Sequence, residues 1–280
     1  MSRIIYKLLG NAALKPIIKD MQTASEQLNI DFFGVGALAR NVWYVMNDEA
    51  ARGTKDVDFG IYVSTAKMYH QLKSILIREF SYTQISENPF CLMSPYQIPV
   101  DLLPFGAIEQ AGKVMIEGKG LVTINLEGFV ETYHYGLIET SIEGDTIQVC
   151  SIPCVVLLKL IAYDDRPSYR LNDPVDIASI LKHYPEIETE FIWDEYNFLY
   201  EAELEHEAVG IKVLGYELSK IISKNAQLVN RILIILDKAI HSESDLAKNM
   251  IQDATTDSIQ LNIEKLKLLK EGIVEGLKKQ

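Results

Sequence analysis

Arg52-Gly53-Thr54-Lys55-Asp56-Val57-Asp58-Phe59-Gly60-Ile61-Tyr62-Val63 decides how the first half of this chain is read. From Asp56 onward the apolar and β-branched run predicts a strand, and on a strand residues i and i+2 share one face. Asp56 and Asp58 are therefore expected to point the same way. Two anions held that close repel each other unless a cation or proton compensates, and hard oxygen donors suit Mg²⁺ or Mn²⁺. Upstream, Asp31-Phe32-Phe33-Gly34-Val35-Gly36-Ala37-Leu38-Ala39-Arg40-Asn41-Val42-Trp43 predicts a short buried strand, a glycine turn and a helix. A turn through Gly34, Gly36 and Ala37 aims backbone N–H groups at whatever sits there. Glycine allows a phosphate close approach, and the first helical turn adds the positive end of its dipole, so a triphosphate fits the role. A third carboxylate, Asp101, lies inside Ile98-Pro99-Val100-Asp101-Leu102-Leu103-Pro104. In so apolar a strand it is costly unless paired or metal-bound. The alternative is an edge strand with Asp101 turned to water.

The pattern from Gly34 through Gly36-Ala37 to Ala39-Arg40, followed by Arg52 to Phe59, resembles the nucleotidyltransferase superfamily related to DNA polymerase β. Within it, the similarity is to the branch of predicted bacterial nucleotidyltransferases and AbiEii-type toxins. Ser151-Ile152-Pro153, then Leu157 to Tyr163 with Lys159, then Arg166, Arg170 and Asn172-Asp173-Pro174-Val175-Asp176-Ile177 resemble that branch's lysine-bearing helix followed by an aspartate-bearing one. The resemblance covers residues 28–184. It implies an α+β fold, a nucleotidyltransferase-like mixed sheet with flanking helices followed by a mainly helical C-terminal domain. It also implies transfer of a nucleoside monophosphate from a nucleoside triphosphate to a hydroxyl acceptor, which could be a small molecule, a protein hydroxyl or a tRNA end. Asp56 and Asp58 would hold the metal bridging the triphosphate, and Asp101 would join them around a second metal or act as base. Lys159 would offset charge on the leaving group, and the Gly34, Gly36 and Ala37 amides would hold phosphates. Arg40, Arg52, Lys55 and Asp176 complete the expected nucleotide site, and an antitoxin is the implied partner.

Two departures bear on activity. Ala37 stands where the superfamily usually carries a hydroxyl, and Asn172 stands where the branch often has a lysine. They leave open a catalytically degenerate module that binds nucleotide or a protein partner.

The remaining features bound the class. With 280 residues and 48% apolar content, the chain can fill a sizeable core in two domains, expected at 1–150 and 151–280. Cys91, Cys150 and Cys154 lack zinc-ligand spacing and are expected as buried thiols in a reducing cytoplasm. A net charge of −12 argues against a broad nucleic-acid-binding surface, because such binding neutralises many phosphates with Lys and Arg. Met1 to Asp20 is expected as an amphipathic surface helix rather than a leader, and the longest apolar runs are too short to span a membrane. Strands are expected over residues 31–35, 56–63, 81–86, 90–94, 97–103 and 113–116, with a hairpin at Glu143-Gly144-Asp145 and helices over 36–51 and 65–80. Beyond Pro153 helices are expected over 153–163, 174–183, 187–203, 209–223, 226–241, 243–252 and 257–278. The last of these is expected either to pack in the core or to dock a partner. Asp173 and Asp176 are expected either to hold Lys159 or Arg170 in place or to cap the next helix, and for Asp173, just before Pro174, capping is the leading expectation. Lys159, interrupting an apolar helix face, must either snorkel to water or meet an anion.

Overall fold

The computed structural model describes residues 6–11, 13–110, 112–118, 120–241, 244–253, 255 and 257–280. The first five residues of the expected N-terminal helix, and Glu243 at the start of another, lie outside the described residues. The chain divides into two compact units, Met1–Val155 and Val156–Gln280.

The first unit is built on a mixed sheet. A 3-10 turn, Tyr6–Leu9, precedes helix α1, Leu14–Glu26. The expected single helix to Asp20 is thus interrupted at Gly10 and Asn11, because Gly10 takes a φ of +82°. Helix α1 is not a surface ornament: Leu14, Ile17, Ile18 and Met21 are buried. Then follow β1 (Asp31–Gly34), α2 (Gly36–Met46), β2 (Val57–Tyr62), α3 (Ala66–Glu79), β3 (Thr83–Gln84), β4 (Cys91–Met93) and β5 (Pro99–Phe105). A separate hairpin of β6 (Lys113–Gly118) and β7 (Gly120–Asn125) leads to α4 (Phe129–Tyr135), β8 (Leu137–Ile142) and β9 (Asp145–Cys150). Helix α2 ends five residues sooner than expected, at Asn47 and a positive-φ Asp48, and β3 shrinks to two residues.

The seven-stranded sheet runs β3-β4-β5-β2-β1-β9-β8. Strands β2 and β5 are parallel, as are β1 and β9, and the other neighbours are antiparallel. Strand β5 is therefore interior, which overturns the edge-strand alternative for Asp101. One sheet face is wholly apolar: Val57, Phe59, Ile61, Val100 and Leu102 are no more than 1% exposed. On the other face Phe33 and Phe105 meet edge to face at 5.5 Å, and Tyr133 of α4 stacks on Tyr62 at 4.6 Å.

The second unit is helical. Helix α5 (Ile152–Asp165) crosses into it, followed by α6 (Asn172–Ile187), α7 (Thr189–Tyr196), a 3-10 turn at Asn197–Ala202, α8 (His206–Ile222), α9 (Ala226–Ala239), α10 (Asp245–Asn249) and α11 (Ile259–Leu277). The expected helix over 187–203 is thus α7 plus a 3-10 segment. Helices α8 and α11 touch backbone to backbone, for a Cβ on Gly272 would stand 2.1 Å from the Lys212 carbonyl oxygen. Ile263, Leu266, Leu269 and Ile273 of α11 are buried within this chain, so the face read as a possible partner-docking surface is core. Among the described residues no helix is long and apolar enough to cross a membrane. The α+β class expected from the sequence is the class observed.

Candidate active site

The glycine turn and the strand after it form one local structure. Val35 donates its backbone N–H to the Asp58 carbonyl at 3.1 Å, and Gly36 opens α2 with a φ of +57°. A Cβ on Gly36 would stand 2.8 Å from Asp58 Oδ2. Glycine is required here on both counts, since it alone tolerates the left-handed backbone and lets the turn lie against a carboxylate. No side-chain cap from Val35 satisfies the first-turn N–H groups of α2.

Across the sheet, Asp58 pairs in register with Asp101, and Asp101 with Cys91. Residues side by side in a ladder share a face at a strand spacing of about 4.8 Å. Asp58, Asp101 and Cys91 therefore form a lateral row on the same face as the Tyr62 and Phe105 rings, two turns of the pleat away. The two carboxylates are half-buried and Cys91 is buried. Burial pushes the Cys91 thiol well above its usual range, helped by its hydrogen bond with Asp101 and that carboxylate's charge.

Asp56 differs from expectation. Strand β2 begins at Val57, and Asp56 sits exposed in the preceding loop. Its carbonyl and carboxylate both accept from the Thr54 hydroxyl, at 2.9 and 3.0 Å. That local bond engages the Asp56 carboxylate within its own loop and competes with extension of the strand. Among the described residues, no three His, Cys, Asp or Glu side chains are gathered to hold a metal ion. Asp58 and Asp101 suit a hard divalent cation by donor type and adjacency, and Asp56 would have to leave Thr54 to join them.

The expected cations fall into two groups. Arg52 and Lys55 are exposed on the loop before Asp56. Arg40 is 2% exposed, and its guanidinium donates to Asn41 Oδ1 at 2.9 Å. Asn41 Nδ2 in turn donates to the carbonyls of Leu9 at 3.0 Å and Arg52 at 2.8 Å, which fixes the loop carrying Arg52 and Lys55. Nothing in the spacing of Arg40 announced this burial.

In the helical unit Lys159 is 9% exposed, with Nζ 2.7 Å from Asp173 and 2.9 Å from Asp176. Of the two fates expected for this lysine, meeting an anion is the one realised, and both anions come from α6. Asp173 lies inside the first turn of α6, behind Leu171 as cap residue, so it serves the ion cluster rather than the expected cap. Burial disfavours the Lys159 charge, but the two aspartates outweigh it and hold the ammonium above its ordinary range.

No protein-family model matches the sequence, and no curated protein matches it. Among solved structures, the chain is similar to an antigenic nucleotidyltransferase-like protein from Paracoccidioides brasiliensis, with 16% identity, TM-score 0.41, and coverage of 65% of this chain and 78% of that one. It is also similar to the antibiotic-resistance factor ANT(2'')-Ia in solution, with 12% identity, TM-score 0.39, and coverage of 67% and 95%. For ANT(2'')-Ia in complex with adenylyl-2''-tobramycin the values are 12% identity, TM-score 0.35, and coverage of 55% and 78%.

Proposed function

We propose that this chain is a divalent-metal-dependent nucleotidyltransferase moving a nucleoside monophosphate from a nucleoside triphosphate to a hydroxyl acceptor. The observation that carries the reading is the Asp58–Asp101 pair, set side by side on neighbouring strands directly beneath the Gly36 turn. Asp58 and Asp101 would hold Mg²⁺ or Mn²⁺, with Asp56 joining once its carboxylate leaves Thr54. An ion held there supplies positive charge to the triphosphate and acidifies an acceptor hydroxyl. The Gly34 to Ala37 turn would bind phosphate oxygens through backbone N–H groups. Arg52 and Lys55 would add cations from the loop that Asn41 anchors. Asp101, half-buried in the interior of the sheet, would take the acceptor proton.

The position of Asp56 favours a second reading, in which the site binds nucleotide without transferring it. One experiment separates the two. Wild type and Asp58→Asn are compared for thermal stabilisation by a panel of nucleoside triphosphates with and without Mg²⁺, and for pyrophosphate release. Bound ligand at 100 times Kd adds about 2.7 kcal/mol. The transferase reading expects metal-dependent stabilisation and pyrophosphate release, both lost in Asp58→Asn. Stabilisation without release selects the binding module, and no stabilisation by any nucleotide defeats both.

A further inference from the structure

The 3-10 turn at Tyr6–Leu9 and the glycine after it are built against the loop that carries Arg52 and Lys55. Gly10 takes a φ of +82°, and a Cβ there would stand 2.9 Å from the Gly53 Cα, so the two backbones meet with no side chain between them. Asn41 of α2, fully buried, bridges the same two segments: its amide nitrogen donates to the Leu9 carbonyl at 3.0 Å and to the Arg52 carbonyl at 2.8 Å. Its oxygen accepts from Arg40 Nε at 3.2 Å and from a second guanidinium nitrogen at 2.9 Å. The guanidinium therefore fixes which way the amide points, because a reversed amide would set its donors against the Arg40 donors and its oxygen against two carbonyls. The other end of the turn is held on the β8–β9 hairpin. Tyr6 donates its backbone N–H to Glu143 Oε1 at 3.3 Å and its hydroxyl to Asp145 Oδ2 at 3.2 Å, and Lys15 Nζ stands 2.5 Å from Glu143.

We propose that the segment Tyr6–Gly10 is a clasp on the nucleotide site and that Asn41 is its positioning residue, setting where Arg52 and Lys55 stand relative to the glycine turn. Both cations are exposed and carried by a loop without regular structure. Ordering such a loop at the moment of binding would cost affinity, and pinning its backbone beforehand removes that cost. Helix α2 starts at Gly36 in the glycine turn and carries Asn41 five residues further on, so one helix fixes both the turn and the loop. The effect on nucleotide binding rests on the nucleotidyltransferase reading, whereas the pinning of the loop does not.

The test combines trypsin digestion of the full chain with the kinetics of pyrophosphate release from ATP. Asn41→Asp keeps the size of the side chain and its contact with Arg40 but turns acceptors toward the two carbonyls. Gly10→Ala, at an exposed position, forces the turn off Gly53 without entering the core, and stands in if Asn41→Asp fails to fold. The expected result is cleavage after Arg52 at least tenfold faster than in wild type, with the rate after the exposed Arg170 unchanged. KM for ATP should rise at least fivefold in either variant. In an Arg52→Gln, Lys55→Gln background the same substitutions should raise it less than twofold, because their effect passes through those cations. Unchanged cleavage after Arg52 in both variants overturns the clasp. An equal rise of KM in both backgrounds overturns the positioning role, since it would mark a general loss of structure. A wild type that neither binds ATP nor releases pyrophosphate defeats the nucleotidyltransferase reading and the effect on binding with it, while proteolysis still decides the clasp.

Discussion

Of the buried lysines, Lys73 in the first unit and Lys159 in the second meet opposite fates. Lys73 on α3 is 6% exposed, donates to the Pro89 carbonyl at 2.5 Å and lies 5.6 Å over the Tyr69 ring. Lys159 on α5 is comparably buried but sits between two carboxylates. Burial lowers Lys73 to about 8, only partly opposed by the nearby Cys91, whereas the aspartates raise Lys159 despite the same burial. Depth alone therefore does not decide whether a lysine stays charged. A carbonyl dipole and a ring face do not repay an ammonium's lost hydration, and two anions do.

The largest effect should follow from removing the better-partnered lysine. Lys159→Met leaves Asp173 and Asp176 buried together with no ammonium between them, and one Asp173 oxygen already lacks a hydrogen-bond partner. Breaking a buried ion cluster from one side costs about 3–5 kcal/mol. Urea denaturation at pH 7 should show a loss in that range. A loss under 1 kcal/mol would mean that the aspartates do not depend on Lys159, and the contrast between the two lysines would fail.

Much of this organisation was legible in the sequence, and the limits have physical causes. Strand β2, helix α3 and the hairpin at Glu143-Gly144 follow from periodicity and turn residues, which are local signals. Lateral strand order is not local. That β5 lies between β4 and β2, and so sets Cys91 and Asp58 on either side of Asp101, depends on pairings between segments far apart in sequence. Helix α4, seven residues long, was missed because its apolar residues read equally well as loop or strand. Alternation extends the predicted strand through Asp56, while the Thr54 hydroxyl that bonds Asp56 in the preceding loop acts over two residues and leaves no mark on the period. Asp173 could be read from its place before Pro174 as a cap or as a partner of Lys159, and only the packing of α5 against α6 selects the second.

The next effect is the pH dependence of stability, in which the two lysines carry opposite signs. Lys73 has a folded pKa of about 8 against an ordinary value near 10.4, so between those values the unfolded chain binds the extra proton and stability rises with pH. The penalty is fully present below pH 8 and relieved by about pH 10, worth roughly 1–3 kcal/mol. Lys159 is raised in the folded state, so its contribution is fully present below about pH 10.4 and is lost as pH climbs through its folded value. The buried Cys91 and Cys154 thiols, both held above their ordinary range, oppose the Lys73 rise from about pH 8.5 upward, so the Lys73 contribution is read as the difference between wild type and Lys73→Met in chemical denaturation across pH 7 to 11, which should grow in favour of wild type between pH 8 and about pH 10. A difference that stays flat across that window would show that Lys73 stays charged in the fold.

The smallest effect should come from Lys73→Met, and it is the most discriminating. The substitution keeps an unbranched chain of similar length in an apolar surround formed by Tyr69, Leu72 and Leu76, each fully buried. It removes the desolvation cost of the ammonium, which favours the variant, but leaves the Pro89 carbonyl without its donor, which opposes it by about 1–3 kcal/mol. The two terms are of similar size, so the net change at pH 7 should lie within about 1 kcal/mol of zero. Its signature lies elsewhere: between pH 8 and pH 10 the stability difference from wild type should shift against Lys73→Met and stay constant for Lys159→Met. If the difference stays constant for Lys73→Met as well, the carbonyl-bound lysine is as firmly charged as the one between aspartates.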